Sequence, residues 1–219
     1  MLPDCVEKEI ALLMERYPML VQCKEQIVEA FFELSKCYQN GGKVLVVGNG
    51  GSAADAEHIV GELMKGFKIS RKLPLEKQKD LISIDPYLGK KLAENLQGAL
   101  PTISLVGHPA FSTAYMNDCE PLLSFAQQVN GYGNHDDVLL AISTSGSSEN
   151  VLCAAIVARA RDMKVIGLTG AKNSKLENLA DICIKAPATE TYKIQELHLP
   201  IYHCLCAMLE MYFFGECGK

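Results

Sequence analysis

The sequence is short of positive charge: 21 Lys plus Arg against 26 Asp plus Glu leave a formal charge of −5. That balance argues against a protein working mainly by nonspecific attraction to nucleic-acid phosphates, so no nucleic-acid partner is expected. A small phosphate ligand stays open, because a helix N-terminus and hydroxyl groups bind phosphate without many bases. The nine cysteines (Cys5, Cys23, Cys37, Cys119, Cys153, Cys183, Cys204, Cys206 and Cys217) contain no Cys-x-x-Cys pair. Several, such as Cys183 and Cys204, stand in apolar runs as small hydrophobes, and they carry no functional signal. No secretory leader and no bilayer-length apolar run is evident, so a cytoplasmic location without a membrane partner is expected. Internal repeats and low-complexity segments are also missing. The 219 residues suit one domain over 1–219.

What is present alternates. Residues 1–40 read as an N-terminal helical arm, with Ile10, Leu12, Leu13 and Met14, then Val21, Ile27, Val28, Phe31, Phe32 and Leu34 at roughly helical spacing. Pro18 separates two helices, and Gly41-Gly42 ends the second. Such an arm serves core or subunit contact. Val44-Leu45-Val46-Val47 reads as a buried strand, followed by a glycine turn and a helix at about 52–66. Residues 67–101 break the pattern with Lys68, Arg71, Lys72, Lys77, Lys79 and prolines at 74, 86 and 101. They read as an insertion with one short helix near Leu88–Leu96, either functional or simply a solvated excursion.

Beyond Pro101 come strands at Thr102–Val106, Val138–Ile142, Val165–Thr169 and Ile182–Ile184. Helices are expected at Ala110–Asp118, Pro121–Asn130, Val151–Asp162, Leu176–Leu179 and about 191–214. Mostly apolar strands alternating with helices predict an α/β fold with a doubly wound parallel sheet. In such sheets ligands sit beyond the carboxyl ends of the strands.

Two polar turns fall there. The first is Gly48-Asn49-Gly50-Gly51-Ser52, with Ser52 as a helix cap and Asp55 completing a capping-box pattern. Gly48, Gly50 and Ala53 also satisfy G-x-G-x-x-A, but the dinucleotide fingerprint needs an acid about 20 residues on. Lys65 to Lys72 offers no acid and no strand. The second turn, Ser143-Thr144-Ser145-Gly146-Ser147-Ser148, gives five hydroxyls between a strand and a helix. It suits a phosphate or a polyol. A serine nucleophile is not favoured, since no G-x-S-x-G elbow is present.

His58 and Glu62 stand at i and i+4 on one helical face, which points to metal binding or acid–base work. In the last helix Gln195 and His203 are eight residues apart, about 12 Å of rise and about 80° of rotation. Two groups so placed on a straight helix cannot both reach one ion whose bonds are about 2 Å. A site using both needs a distorted helix, for which Pro200 offers a cause, or two chains. His198 and His135 read as structural and solvated respectively.

Taken together, Gly48-Asn49-Gly50-Gly51-Ser52, His58, Glu62, the serine turn, Ile194-Gln195-Glu196-Leu197-His198 and His203 resemble the SIS (sugar isomerase) domain family. Within it the resemblance is strongest to bacterial phosphoheptose isomerases. It covers nearly the whole chain apart from the segment near 70–100, and implies a flavodoxin-like three-layer sandwich.

The implied activity converts sedoheptulose 7-phosphate to D-glycero-D-manno-heptose 7-phosphate in a homotetramer whose active sites lie at subunit boundaries. The resemblance implies zinc at His58, Glu62, Gln195 and His203, with Glu62 and His203 as the acid–base pair. It implies substrate contacts from Asn49, Gly50, Gly51, Ser52, Glu62, His108, Ser143, Thr144, Ser145, Ser148 and Gln195. Two positions depart from the pattern: His108 replaces an aspartate nine residues before Asn117-Asp118, and Tyr192 replaces an acid found in some members. Both are expected near the sugar, so another phosphosugar is the alternative substrate. A non-catalytic SIS protein of the replication-initiator-associating type, binding a phosphosugar or a protein partner, is the rival class. It tends to lack the carboxylate matching Glu62.

Overall fold

The structure, a computed structural model, describes residues 2–215. Five strands form its centre: β1 (Val44–Val47), β2 (Thr102–Ser104), β3 (Val138–Ile142), β4 (Lys164–Gly170) and β5 (Ile182–Ala186). All pairs are parallel and the order is β2-β1-β3-β4-β5. The interior strands are short apolar runs because both faces are covered: every residue of β1 and β3 is buried. The expected doubly wound α/β sheet is what forms.

Ten α-helices surround it among the described residues: α1 (Asp4–Arg16), α2 (Lys24–Gln39), α3 (Gly51–Met64), α4 (Leu75–Ile84), α5 (Leu88–Asn95), α6 (Pro109–Asp118), α7 (Ser124–Tyr132), α8 (Glu149–Ala160), α9 (Lys175–Leu179) and α10 (Thr191–Phe214). Side chains alternate along each strand, so Val44, Val46, Leu140 and Ile166 pack with residues of α1, α2, α3 and α10. Leu45, Val47, Leu139 and Ala141 face the opposite way, into a second core built with α7, α8 and α9. The result is three layers. Strand order reverses between β1 and β3, and a crevice opens there at the strands' carboxyl ends.

Three sequence expectations need correction. The insertion holds two helices, not one, because α4 buries none of its residues and so shows no core-facing stripe. It folds instead against α5, with Gly89 so close to the Leu81 carbonyl that a Cβ could not fit. Ser52 does not cap α3. The helix starts one residue earlier, Gly50 is the N-cap with φ +56°, and Ser52 is 3 % exposed inside the first turn. The carboxylate of Asp55 is engaged elsewhere, with Tyr202. Finally, α10 is long and apolar enough to cross a membrane by length and composition alone. Most of it is buried among α1, α2, α3 and the sheet, which is what a core helix requires.

A buried ion pair ties the insertion's start to the core. Arg71 and Glu210 have fully buried side chains, with Arg71 Nε 2.8 Å from Glu210 Oε1. Glu210 also accepts the backbone N–H groups of Phe67 and Lys68, each at 2.7 Å. The Arg71 guanidinium donates to the carbonyls of Leu63 (2.7 Å) and Glu62 (2.9 Å). It thus satisfies carbonyls that the end of α3 leaves unpaired, at the cation-favouring pole of the helix.

Candidate active site

Both polar turns lie in the crevice. The turn after β1 needs its glycines: Gly48 packs directly on the Ser52 backbone, and Gly50 holds a positive φ. Asn49 in this turn and Asn150 in the first turn of α8 exchange amide hydrogen bonds of 2.9 and 2.8 Å. The two turns, about a hundred residues apart in sequence, are therefore one surface.

In the serine turn Gly146 is again at positive φ, 58°, and presses against Ser174. Ser143 and Ser148 share a hydroxyl–hydroxyl contact of 3.1 Å, and the Ser147 N–H reaches Ser145 Oγ at 3.2 Å. Thr144, Ser145 and Ser147 line a cavity of about 390 Å³ with Lys172, Asn173, Thr189, Thr191 and Ile194. Among the described residues Lys172 is its only cationic side chain. It was not singled out from the sequence, because nothing local tells a surface lysine from one at a cavity mouth.

The next element along is α10. Ile194 lines that cavity, and Gln195 stands against Gly51, where an added Cβ would come within 2.5 Å of Gln195 Nε2. Eight residues on, His203 meets α3. His58 Nε2 lies 3.2 Å from Glu62 Oε1 and 3.5 Å from His203 Nε2, with the two imidazole rings perpendicular. Glu62 is 13 % exposed, and its Oε2 is buried without a hydrogen bond, 3.7 Å from Lys65 Nζ. Burial, reinforced by the neighbouring His58, holds the His203 pKa below that of a free imidazole. It is therefore neutral at neutral pH and able to take up a proton.

The structure thus brings together His58, Glu62 and His203, and separately Asn49, Gly51 and Gln195. Gln195 and His203 do not meet in one chain, as their spacing on α10 required. His108 stands at the N-cap of α6, its ring 5.8 Å from that of Tyr132 and its Nε2 buried with no hydrogen-bond partner among the described residues. Tyr192 is exposed beneath the Lys193 ammonium. His198 is buried and contacts the Thr169 carbonyl, while His135 is exposed beside Asp136, as their structural and solvated roles required. Sequence reasoning missed Asp55 and Tyr202, which sit directly behind His58: Tyr202 Oη is 2.9 Å from His58 Nδ1 and 3.2 Å from Asp55 Oδ1.

Among the described residues no three His, Cys, Asp or Glu side chains already close round a common point. The donor chemistry nevertheless fits a cation. Donors bound at about 2.1 Å in a tetrahedron stand about 3.4 Å apart, and the His58–Glu62 and His58–His203 separations match such edges. Glu62 Oε2, with no hydrogen bond among the described residues and only the Lys65 ammonium at 3.7 Å, leaves the carboxylate a further oxygen at the same place.

The sequence matches the model of the SIS domain over residues 8–79 and 91–170, leaving out part of the α4–α5 hairpin. It is 37 % identical over 191 residues to a phosphoheptose isomerase of Rhodospirillum rubrum, covering 87 % of this chain and 88 % of that one. It is also 37 % identical to phosphoheptose isomerase 2 of Campylobacter jejuni, covering 87 % of this chain and 82 % of that one. Among solved structures, the phosphoheptose isomerase of Neisseria gonorrhoeae superposes with a TM-score of 0.70 at 31 % identity, over 93 % of this chain and 94 % of that one.

Proposed function

The chain belongs to the SIS domain family and is a phosphosugar isomerase, and we propose that its substrate is sedoheptulose 7-phosphate, converted to the aldose D-glycero-D-manno-heptose 7-phosphate. The observation that carries this reading is the layout of α10. It runs from the hydroxyl- and lysine-lined cavity at Ile194 to His203 beside Glu62, about 13–14 Å of helical rise. A sugar phosphate in extended form bridges such a span, with its phosphate in the serine turn and its carbonyl end at the carboxylate.

Interconversion of ketose and aldose moves a proton between neighbouring carbons through an enediol. Glu62 removes the carbon-bound proton, its partly buried carboxylate lying beside His58 and His203 where the substrate's carbonyl end would sit. His203, neutral and adjacent, carries protons to and from the substrate oxygens. Ser143, Thr144, Ser145 and Ser148 hold the phosphate together with Lys172, while Asn49, Gly50 and Gly51 form the sugar side of the crevice, with Ser52 buried in the first turn of α3 that follows. When bound by His58, Glu62, Gln195 and His203, zinc would supply positive charge to the developing enediolate oxygen. Gln195 is held at Gly51, away from His203, which supports a site completed by a second chain; the oligomer we propose is a homotetramer. A cytoplasmic location is part of the same proposal.

The test is sedoheptulose 7-phosphate isomerisation by the parent and by Glu62→Gln. The parent turns over and the variant loses roughly 10²–10⁴-fold. Equal turnover sinks the mechanism, and no turnover by either, with phosphosugar binding intact, moves the substrate to another sugar.

A further inference from the structure

His58 has two ring nitrogens, and the structure gives them different neighbours. Nδ1 faces Tyr202 Oη at 2.9 Å, and Nε2 faces Glu62 and His203. The Tyr202 hydroxyl in turn touches Asp55 Oδ1 at 3.2 Å. A hydroxyl has one hydrogen to give, so it can donate to Asp55 or to His58 but not to both. Asp55 decides the matter. Its Oδ2 is buried with no partner, so Tyr202 supplies the only hydrogen bond its carboxylate makes among the described residues. Withdrawing that bond strands a half-buried anion at a cost of about 1–3 kcal/mol or more. The hydroxyl therefore donates to Asp55 and turns its lone pair toward Nδ1, which must then carry the imidazole proton.

We propose that Asp55 and Tyr202 are positioning residues that hold the His58 proton on Nδ1 and present the bare Nε2 lone pair to Glu62 and His203. Edge-on packing of the His58 and Tyr202 rings, 5.6 Å apart and inclined at 76°, helps to set the direction of that lone pair. A lone pair 3.2 Å from a carboxylate oxygen is repulsive on its own and becomes favourable around a cation. The ligand class this arrangement selects is a divalent ion that prefers nitrogen, such as zinc. Outer partners of this kind fix the tautomer of a ligating histidine and raise its basicity. The inference deepens the metal-assisted reading above and rests on it for the ion, but the proton's position is measurable without one.

The experiment uses long-range ¹H–¹⁵N spectra of the metal-free full chain at alkaline pH, with the His58 signals assigned through His58→Gln. The parent is expected to show the Nδ1–H tautomer. Tyr202→Phe, which keeps the ring and removes one oxygen, shifts the proton toward Nε2. Asp55→Asn can donate an amide hydrogen to Tyr202, turning the hydroxyl round with the same effect. Calorimetric titration with Zn²⁺ alone is expected to weaken by about 10–100-fold in both variants, with thermal melts reporting folding. An Nε2–H tautomer in the parent overturns the proposal, as does a folded Tyr202→Phe whose spectrum and zinc affinity match the parent. Tautomer changes as expected in a parent that binds no zinc leave the relay standing and overturn the metal reading instead.

Discussion

Asn49 and Asn150 face each other across the crevice and satisfy each other's amides, with Asn49 Nδ2 donating at 2.9 Å and Asn150 Nδ2 returning the bond at 2.8 Å. This exchange fixes the turn after β1 relative to the helix that follows the serine turn. The sugar and phosphate ends of the proposed substrate are thereby held in register. Replacing Asn150 with alanine frees Asn49 in a solvated place. Two exposed hydrogen bonds worth about 0.5–1.5 kcal/mol each at most are lost, which predicts a melting temperature lowered by a few degrees and, as the two turns lose their register, a KM for sedoheptulose 7-phosphate raised several-fold. Steady-state kinetics decide it, and an unchanged KM would remove the pair from the site.

Gly51→Ala separates stability from function. Alanine in a helix is favoured over glycine by up to about 1 kcal/mol, so the fold should tolerate the change. Its Cβ, however, falls 2.5 Å from Gln195 Nε2 and 2.8 Å from Gln195 Cδ, forcing that side chain away. The expected outcome is a folded protein with isomerase activity reduced by an order of magnitude or more. Full activity would show that the position Gln195 takes against Gly51 has no part in the reaction.

Glu210→Ala tests the buried ion pair. Arg71, fully buried, and two partly buried backbone N–H groups lose their acceptor. Breaking such a pair costs about 3–5 kcal/mol, or a fall in melting temperature of about 10 °C for a chain of this size. Because Arg71 also holds the Glu62 carbonyl at 2.9 Å, activity measured well below the melting point should fall too. Differential scanning calorimetry with a parallel assay reads both.

His198 sets an acid limit. Burial pushes its pKa down to about 4, with the Thr169 carbonyl opposing only in part. In the unfolded chain the imidazole titrates near 6.5, so between the two values the unfolded state binds the extra proton. The stability held above pH 6.5 is then lost as pH falls toward 4, by on the order of 3 kcal/mol. Chemical denaturation at a series of pH values should show that slope, and His198→Gln should flatten it. An equal slope in the variant would assign the acid sensitivity to other groups.

The sequence alone determined what rests on neighbouring residues. Apolar runs of four to five residues gave the interior strands, because a strand covered on both faces has no polar positions to alternate with. The i, i+4 spacing aligned His58 with Glu62, since helical geometry fixes that relationship wherever the helix goes. Eight residues of helix kept Gln195 from His203 for the same reason.

Only the tertiary structure decided the rest. It set Tyr202 and Asp55, 147 residues apart, behind His58, paired Asn49 with Asn150, and buried Arg71 on Glu210. It also made a helix of 75–84, whose apolar residues face no core, and moved the start of α3 from Ser52 to Gly51. No local pattern encodes these partners. A side chain's hydrogen-bond mate is fixed by which surfaces pack together, and that follows from burying the two faces of the whole sheet at once.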